Sequence, residues 1–138
     1  AFIPLVLASG GNAGSQSATL IIREMATSEM DYRDKYFIVM RELRMALTLG
    51  AALMALSFGV AICMVPLSEA IVVAVTVLIM VIFGTTAGAL LPILFKRLGM
   101  DPALMSNPLI AALVDVLGVI IYFSTAIALL GPVAKVVE

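Results

Sequence analysis

The sequence predicts an all-α polytopic membrane protein with four transmembrane helices, and three observations carry that prediction. Of 138 residues, 63% are hydrophobic and 12% are charged, whereas soluble domains are about half apolar and roughly a quarter charged. The mean hydropathy of +1.19 leaves too little polar surface to face water. The charges are also gathered into a few short stretches, and the runs between them reach the roughly 20 residues that a helix needs to cross hydrocarbon. Helices are the expected form of these runs because unpaired backbone groups are not tolerated in lipid.

The first span is placed over residues 2–27, and it is unusually polar. In ASGGNAGSQSAT, Gly10, Gly14 and Ala18 recur every four residues, and Asn12 and Gln16 do the same. One helix therefore carries a small stripe beside an amide stripe. Such stripes either pack closely against another helix, with the amides as interhelical glue, or line water. No lysine follows the glycines, so this is not a phosphate-binding loop.

A polar stretch follows, in which Asp31 and Asp34 read as an N-cap with an acidic third position. They predict an interfacial helix over residues 32–44, with Tyr32, Tyr36, Phe37, Met40 and Leu43 on its apolar side. The second span is placed over residues 43–66, ending in a tight PLSE turn. The third, over residues 69–95, contains Gly84 and Gly88 at GxxxG spacing, a helix-packing signal, and Pro92, which predicts a kink. The fourth, over residues 107–131, is interrupted by Asp115.

Arg23, Arg33, Lys35, Arg41 and Arg44 lie between the first and second spans, and Lys96 and Arg97 between the third and fourth. The positive-inside rule puts both charged loops in the cytoplasm and both chain ends outside, in a multi-pass protein of the inner membrane. The chain opens on Ala1 with no basic region ahead of its first apolar run, which reads as a piece of a longer protein.

Several function classes are excluded at this stage. Eight basic against nine acidic residues give no broad basic surface for nucleic acid. With no histidine and a single cysteine, Cys63, there is no intramolecular disulfide, histidine-based metal site or catalytic triad. An enzyme is not expected. The nine methionines are scattered, as packing residues are, and do not form a soft-metal site.

Asp115 is the chemically odd residue, a carboxylate near mid-bilayer with no basic residue in the spans to pair with. Placing it there costs at least about 2.5 kcal/mol on insertion scales, so such residues mark ion, proton or substrate pathways. The alternative is a neutral Asp hydrogen-bonded to another helix. One and two turns earlier on the same helical face stand Ala111 and Asn107, with Gly118 to one side. Asn107 also precedes a proline and so reads equally as an N-cap. Carboxylate, amide and backbone oxygens without a soft ligand suit a hard cation such as magnesium, calcium or sodium.

The run PLVLASGGNAGSQSATLIIREMAT, followed later by RLGMDPALMSNPLIAALVDVLGVIIY, resembles the membrane domain of bacterial MgtE-type magnesium channels over nearly the whole chain. The resemblance implies a homodimer with five membrane helices per subunit, of which these four are the second to fifth. It also implies upstream cytosolic regulatory domains, which this chain does not contain. The implied pore runs along the dimer axis between the first and fourth spans. Its central magnesium site then falls on Asp115, with Asn107 and Ala111 facing the ion, and its lining on Asn12, Gln16, Gly10, Gly11 and Gly14. Asp101 is implied as an acidic residue at the cytoplasmic mouth that takes part in magnesium-dependent closure. The expected function is passive uptake of hydrated Mg²⁺, bound and transported, in a lipid bilayer. One competing reading is a sodium- or proton-coupled magnesium exchanger, which should need a second ionisable site in the spans. The other is a non-conducting membrane assembly subunit.

Overall fold

The computed structural model describes residues 2–27 and 35–131. It is all-helical among these: α1 (Ile3–Ala26), α2 (Lys35–Ala61), α3 (Leu67–Arg97) and α4 (Pro102–Leu130). Three of them are long and apolar enough to cross a membrane, over Phe37–Ala61, Leu67–Arg97 and Pro102–Leu130. α1, with 24 residues, is long enough, but its glycines, serines and amides dilute its hydropathy.

Where the sequence suggested an interfacial helix over 32–44 and then a span from 43, α2 runs unbroken from Lys35 to Ala61. Met40 to Ala46 are almost all strong helix formers with no proline or glycine among them, so nothing halts propagation there. The residues turned inward are Ile38, Glu42, Ala46 and Gly50, while Phe37 and Leu43 are exposed. Tyr32 and the Asp31–Asp34 cap lie outside the described residues.

α3 is the hub. It packs against α1, α2 and α4, while α1 and α2 hardly touch each other. Of the three apolar helices it is the most enclosed and α4 the least. The main core joins Val6, Ala13 and Ala18 of α1 to Val77, Met80 and Val81 of α3 and to Ile110 and Val114 of α4.

Glycine makes the central contact possible. A Cβ on Gly84 would overlap the carbonyl of Gly10, and one on Gly88 the carbonyl of Gly14, so the backbones of α1 and α3 meet directly. Gly10 and Gly14 are thus packing residues, buried under α3. This corrects the expectation that they line a path, because their faces are already covered within the chain. Pro92 is also buried in α3.

The turn into α4 closes with a left-handed Gly99, at φ +73°, and with the Met100 N–H bonded to the Phe95 carbonyl at 3.0 Å, as in a Schellman ending. Asp101 caps the next helix, its Oδ1 accepting from the Ala103 N–H at 2.8 Å, and Pro102 takes the first helical position. The fourth helix therefore starts at Pro102, five residues before the sequence placed it at 107. Asn107 is inside it, and the cap reading of Asn107 gives way to Asp101.

Candidate functional site

α1 and α4 lie side by side and antiparallel. Leu7 is against Gly118, Gly11 against Val114, and Gly14 against Ile110, so residue numbers fall along one helix as they rise along the other. Helical periodicity then sorts the remaining side chains. On α4, Ser106, Ile110, Val114 and Gly118 are buried. Asn107, Ala111 and Asp115 form the adjoining strip and are exposed. On α1, Val6, Gly10, Ala13, Gly14, Ser17 and Ile21 are buried. Asn12 and Gln16 stand on the opposite, exposed side, with Gly11 half-buried between.

The polar stripes of both helices are therefore turned out of the bundle. Their hydroxyls are satisfied locally: Ser9 donates to the Leu5 carbonyl at 2.8 Å and Thr19 to the Ser15 carbonyl at 2.8 Å. The amides and the carboxylate are not. Among the described residues, Asn12, Gln16, Asn107 and Asp115 have no hydrogen-bonding or ion-pairing partner. Pro108 lies inside α4 and has no N–H for the carbonyl of Leu104, which adds a backbone oxygen near Asn107. Asp115 has carboxylate oxygens for a hard cation. Among the described residues no three His, Cys, Asp or Glu side chains converge, so one chain offers this carboxylate singly.

The sequence missed one polar centre. Glu42 falls within the interfacial helix expected over residues 32–44, yet it is only 2% exposed on a helix that continues into an apolar span. Its Oε2 accepts from the Ser17 hydroxyl at 2.6 Å. Its Oε1 accepts from Arg41 Nε at 3.3 Å and Nη2 at 3.0 Å. Arg41 Nη1 pairs with Oε1 of Glu24 on α1 at 2.6 Å. A buried ionisable group thus stands near the start of the candidate span Phe37–Ala61, beside Arg41 and Arg44. No periodic signal marks it, because its partner Ser17 is 25 residues away in sequence.

The family model described as "MgtE: Divalent cation transporter" matches residues 3–125. The chain belongs to the MgtE family. It is 45% identical over 137 residues to a protein of Thermus thermophilus named magnesium transporter MgtE, covering 96% of this chain and 29% of that relative. A Bacillus subtilis protein of the same name is 35% identical over 92% of the chain and 28% of its own length. One from Enterococcus faecalis is 33% identical over 91% and 28%. The chain thus spans less than a third of the length of these MgtE relatives, and the family is one of transporters rather than enzymes.

Proposed function

We propose that the chain forms the ion-conducting part of a magnesium transporter, passing hydrated Mg²⁺ along a path lined by the exposed faces of α1 and α4 where two copies meet about a two-fold axis. The observation that carries this is the inside-out polarity of those helices. Among the described residues Asn12, Gln16, Asn107 and Asp115 have no partners, and they stand on the outer surface. In hydrocarbon each would lack hydrogen bonds, at a cost of several kcal/mol for an unsatisfied polar group. A second copy and a water-filled path between the two remove that cost. A protonated Asp115 packed between helices would instead need an acceptor from another helix, and none is bonded to it among the described residues.

In the dimer two Asp115 carboxylates face one another. In low dielectric two like charges brought this close repel each other strongly. A divalent ion removes the repulsion. Mg²⁺ sheds water reluctantly, so Asp115, Asn107 and backbone oxygens around Ala111 act on its hydration shell, and the path discriminates by the size of the hydrated ion. Asn12, Gln16 and Gly11 complete the lining from α1. The membrane potential drives entry, at about 2.3 kcal/mol per charge per 100 mV. The charged loops face the cytoplasm, where Asp101 at the start of α4 contributes to closure at high internal Mg²⁺. An exchanger would need a mobile coupled ion, and Glu42, tied to Ser17 and Arg41, is occupied as a structural pair.

Asp115→Asn keeps the shape and removes the charge. In the intact protein, reconstituted in vesicles and followed with a Mg²⁺-sensitive dye, it should lower Mg²⁺ uptake at least roughly tenfold, as loss of a charge-assisted contact of about 1.4 kcal/mol or more implies, with folding intact. Uptake at the unsubstituted rate would remove Asp115 from the ion path.

A further inference from the structure

We infer that Glu42 is a positioning residue for ion selection: by holding Ser17 it fixes the rotation of α1 and so aims Asn12 and Gln16 into the path. This inference rests on the reading that α1 lines that path.

The way α1 is held gives such a device something to act on. The centre of its contact with α3 is glycine backbone on glycine backbone at Gly10–Gly84 and Gly14–Gly88, flanked by Val6, Ala13 and Ala18 against Val77, Met80 and Val81. A surface without side chains allows close approach but offers few knobs to oppose turning of the helix about its own axis. With α2 it shares hardly any packing. What joins those two helices is polar and directional: Ser17 to Glu42 at 2.6 Å and Glu24 to Arg41 at 2.6 Å. These anchors lie seven residues, or about two helical turns, apart on α1, enough to define both angle and height.

Glu42 is built for the task. It is buried, and it is bonded to Arg41 on its own helix and to Ser17 on α1, while Arg41 in turn pairs with Glu24 of α1. The two side-chain oxygens of Glu42 accept all three of its hydrogen bonds, Oε2 from Ser17 and Oε1 from Arg41. Gln16 directly precedes Ser17, and both residues, with Glu42, Thr48 and Thr85, border one cavity of about 570 Å³ between α1 and α2. With a helix radius of about 5–6 Å including side chains, a rotation of roughly 10° would carry the Gln16 amide by about 1 Å. A shift of that size is comparable to the tolerance of a site that must recognise the outer oxygens of a hydrated ion.

The test compares Mg²⁺ and Ca²⁺ uptake by the intact protein in vesicles for Glu42→Gln, Ser17→Ala and the double variant, with Asp115→Asn alongside. Glu42→Gln should lower the Mg²⁺ to Ca²⁺ uptake ratio about threefold or more. Ser17→Ala should shift it in the same direction, and the double variant no further than Glu42→Gln alone, because both substitutions break one contact. A merely structural role would reduce the two fluxes in proportion and leave their ratio unchanged, which would overturn the inference, as would fully additive shifts. If Glu42→Gln fails to accumulate, Ser17→Ala decides by the same ratio, since it preserves the Arg41–Glu42 pair. Loss of uptake in Asp115→Asn together with an unchanged ratio in the Glu42 and Ser17 variants defeats this inference alone. Unimpaired uptake in Asp115→Asn defeats the conduction reading on which it rests.

Discussion

The two faces of the α1–α4 pair are made of similar residue types put to opposite uses. The inner face carries Gly10 and Gly14 against Gly84 and Gly88, with Ala13, Ala18 and Ile110 around them. The outer face carries Gly11, Asn12, Gln16, Asn107, Ala111 and Asp115, whose amides and carboxylate have no partners among the described residues. Small residues on the inside permit backbone contact. On the outside they leave room beside polar groups. The lesson is that a small residue in a membrane helix says only that something comes close, and whether that is another backbone or water depends on which way the helix is turned.

The strongest way to break the inner face is Gly84→Leu, whose side chain would have to enter the carbonyl of Gly10. The expected loss exceeds about 3 kcal/mol, at the upper end for overpacked sites, and should appear as absence of folded protein in size-exclusion chromatography. Gly59 is the control, because nothing lies within 4 Å of a Cβ added there. Gly59→Ala should be neutral or stabilising by up to about 1 kcal/mol. By contrast Asp115→Asn, on the outer face, should leave the thermal midpoint unchanged while uptake falls, and a large drop in that midpoint would erase the distinction between the faces.

Arg41→Ala tests the edge between them. It leaves Glu42 buried with Ser17 as its sole partner, but Arg41 is partly exposed, with 35% of its side chain accessible. The penalty for orphaning a buried charge is therefore discounted from the usual 3–5 to about 1–3 kcal/mol. Thermal unfolding in detergent measures it, and Arg41→Lys should recover only part, because an ammonium cannot reproduce the guanidinium fork to Glu42 and Glu24.

Asp101 separates two roles by choice of substitution. Asp101→Ala removes the cap on Ala103 and should cost about 1 kcal/mol, whereas Asp101→Asn caps nearly as well. If the charge also serves closure, Asp101→Asn should keep the thermal midpoint yet weaken inhibition by internal Mg²⁺ in the intact protein. Unaltered inhibition would leave Asp101 as a cap alone. The smallest effect is expected at Ser106, fully buried with an Oγ that has no hydrogen-bond partner among the described residues. Ser106→Ala removes an unsatisfied group and should be neutral or stabilising by up to about 1 kcal/mol; a clear destabilisation in the same assay would mean that the hydroxyl has a partner in the assembled protein.

Hydropathy and charge clustering were enough to read four helices, because the cost of polar groups in lipid depends on composition along the chain and on nothing distant. The family was legible too, from two long runs that later matched the MgtE model over residues 3–125. Periodicity placed Asn107, Ala111 and Asp115 on one strip, since spacing along a helix fixes angle. What spacing leaves open is which strip faces inward. Gly10 and Gly14 share their helix with Asn12 and Gln16, and only the position of α3 decided that the glycines pack while the amides remain outside. The cap passed from Asn107 to Asp101 because the left-handed turn at Gly99 starts the helix earlier. The burial of Glu42 was not legible, because burial is set by what packs against a residue. Ser17 and Glu24 reach it from another helix, across a sequence separation that no local pattern encodes.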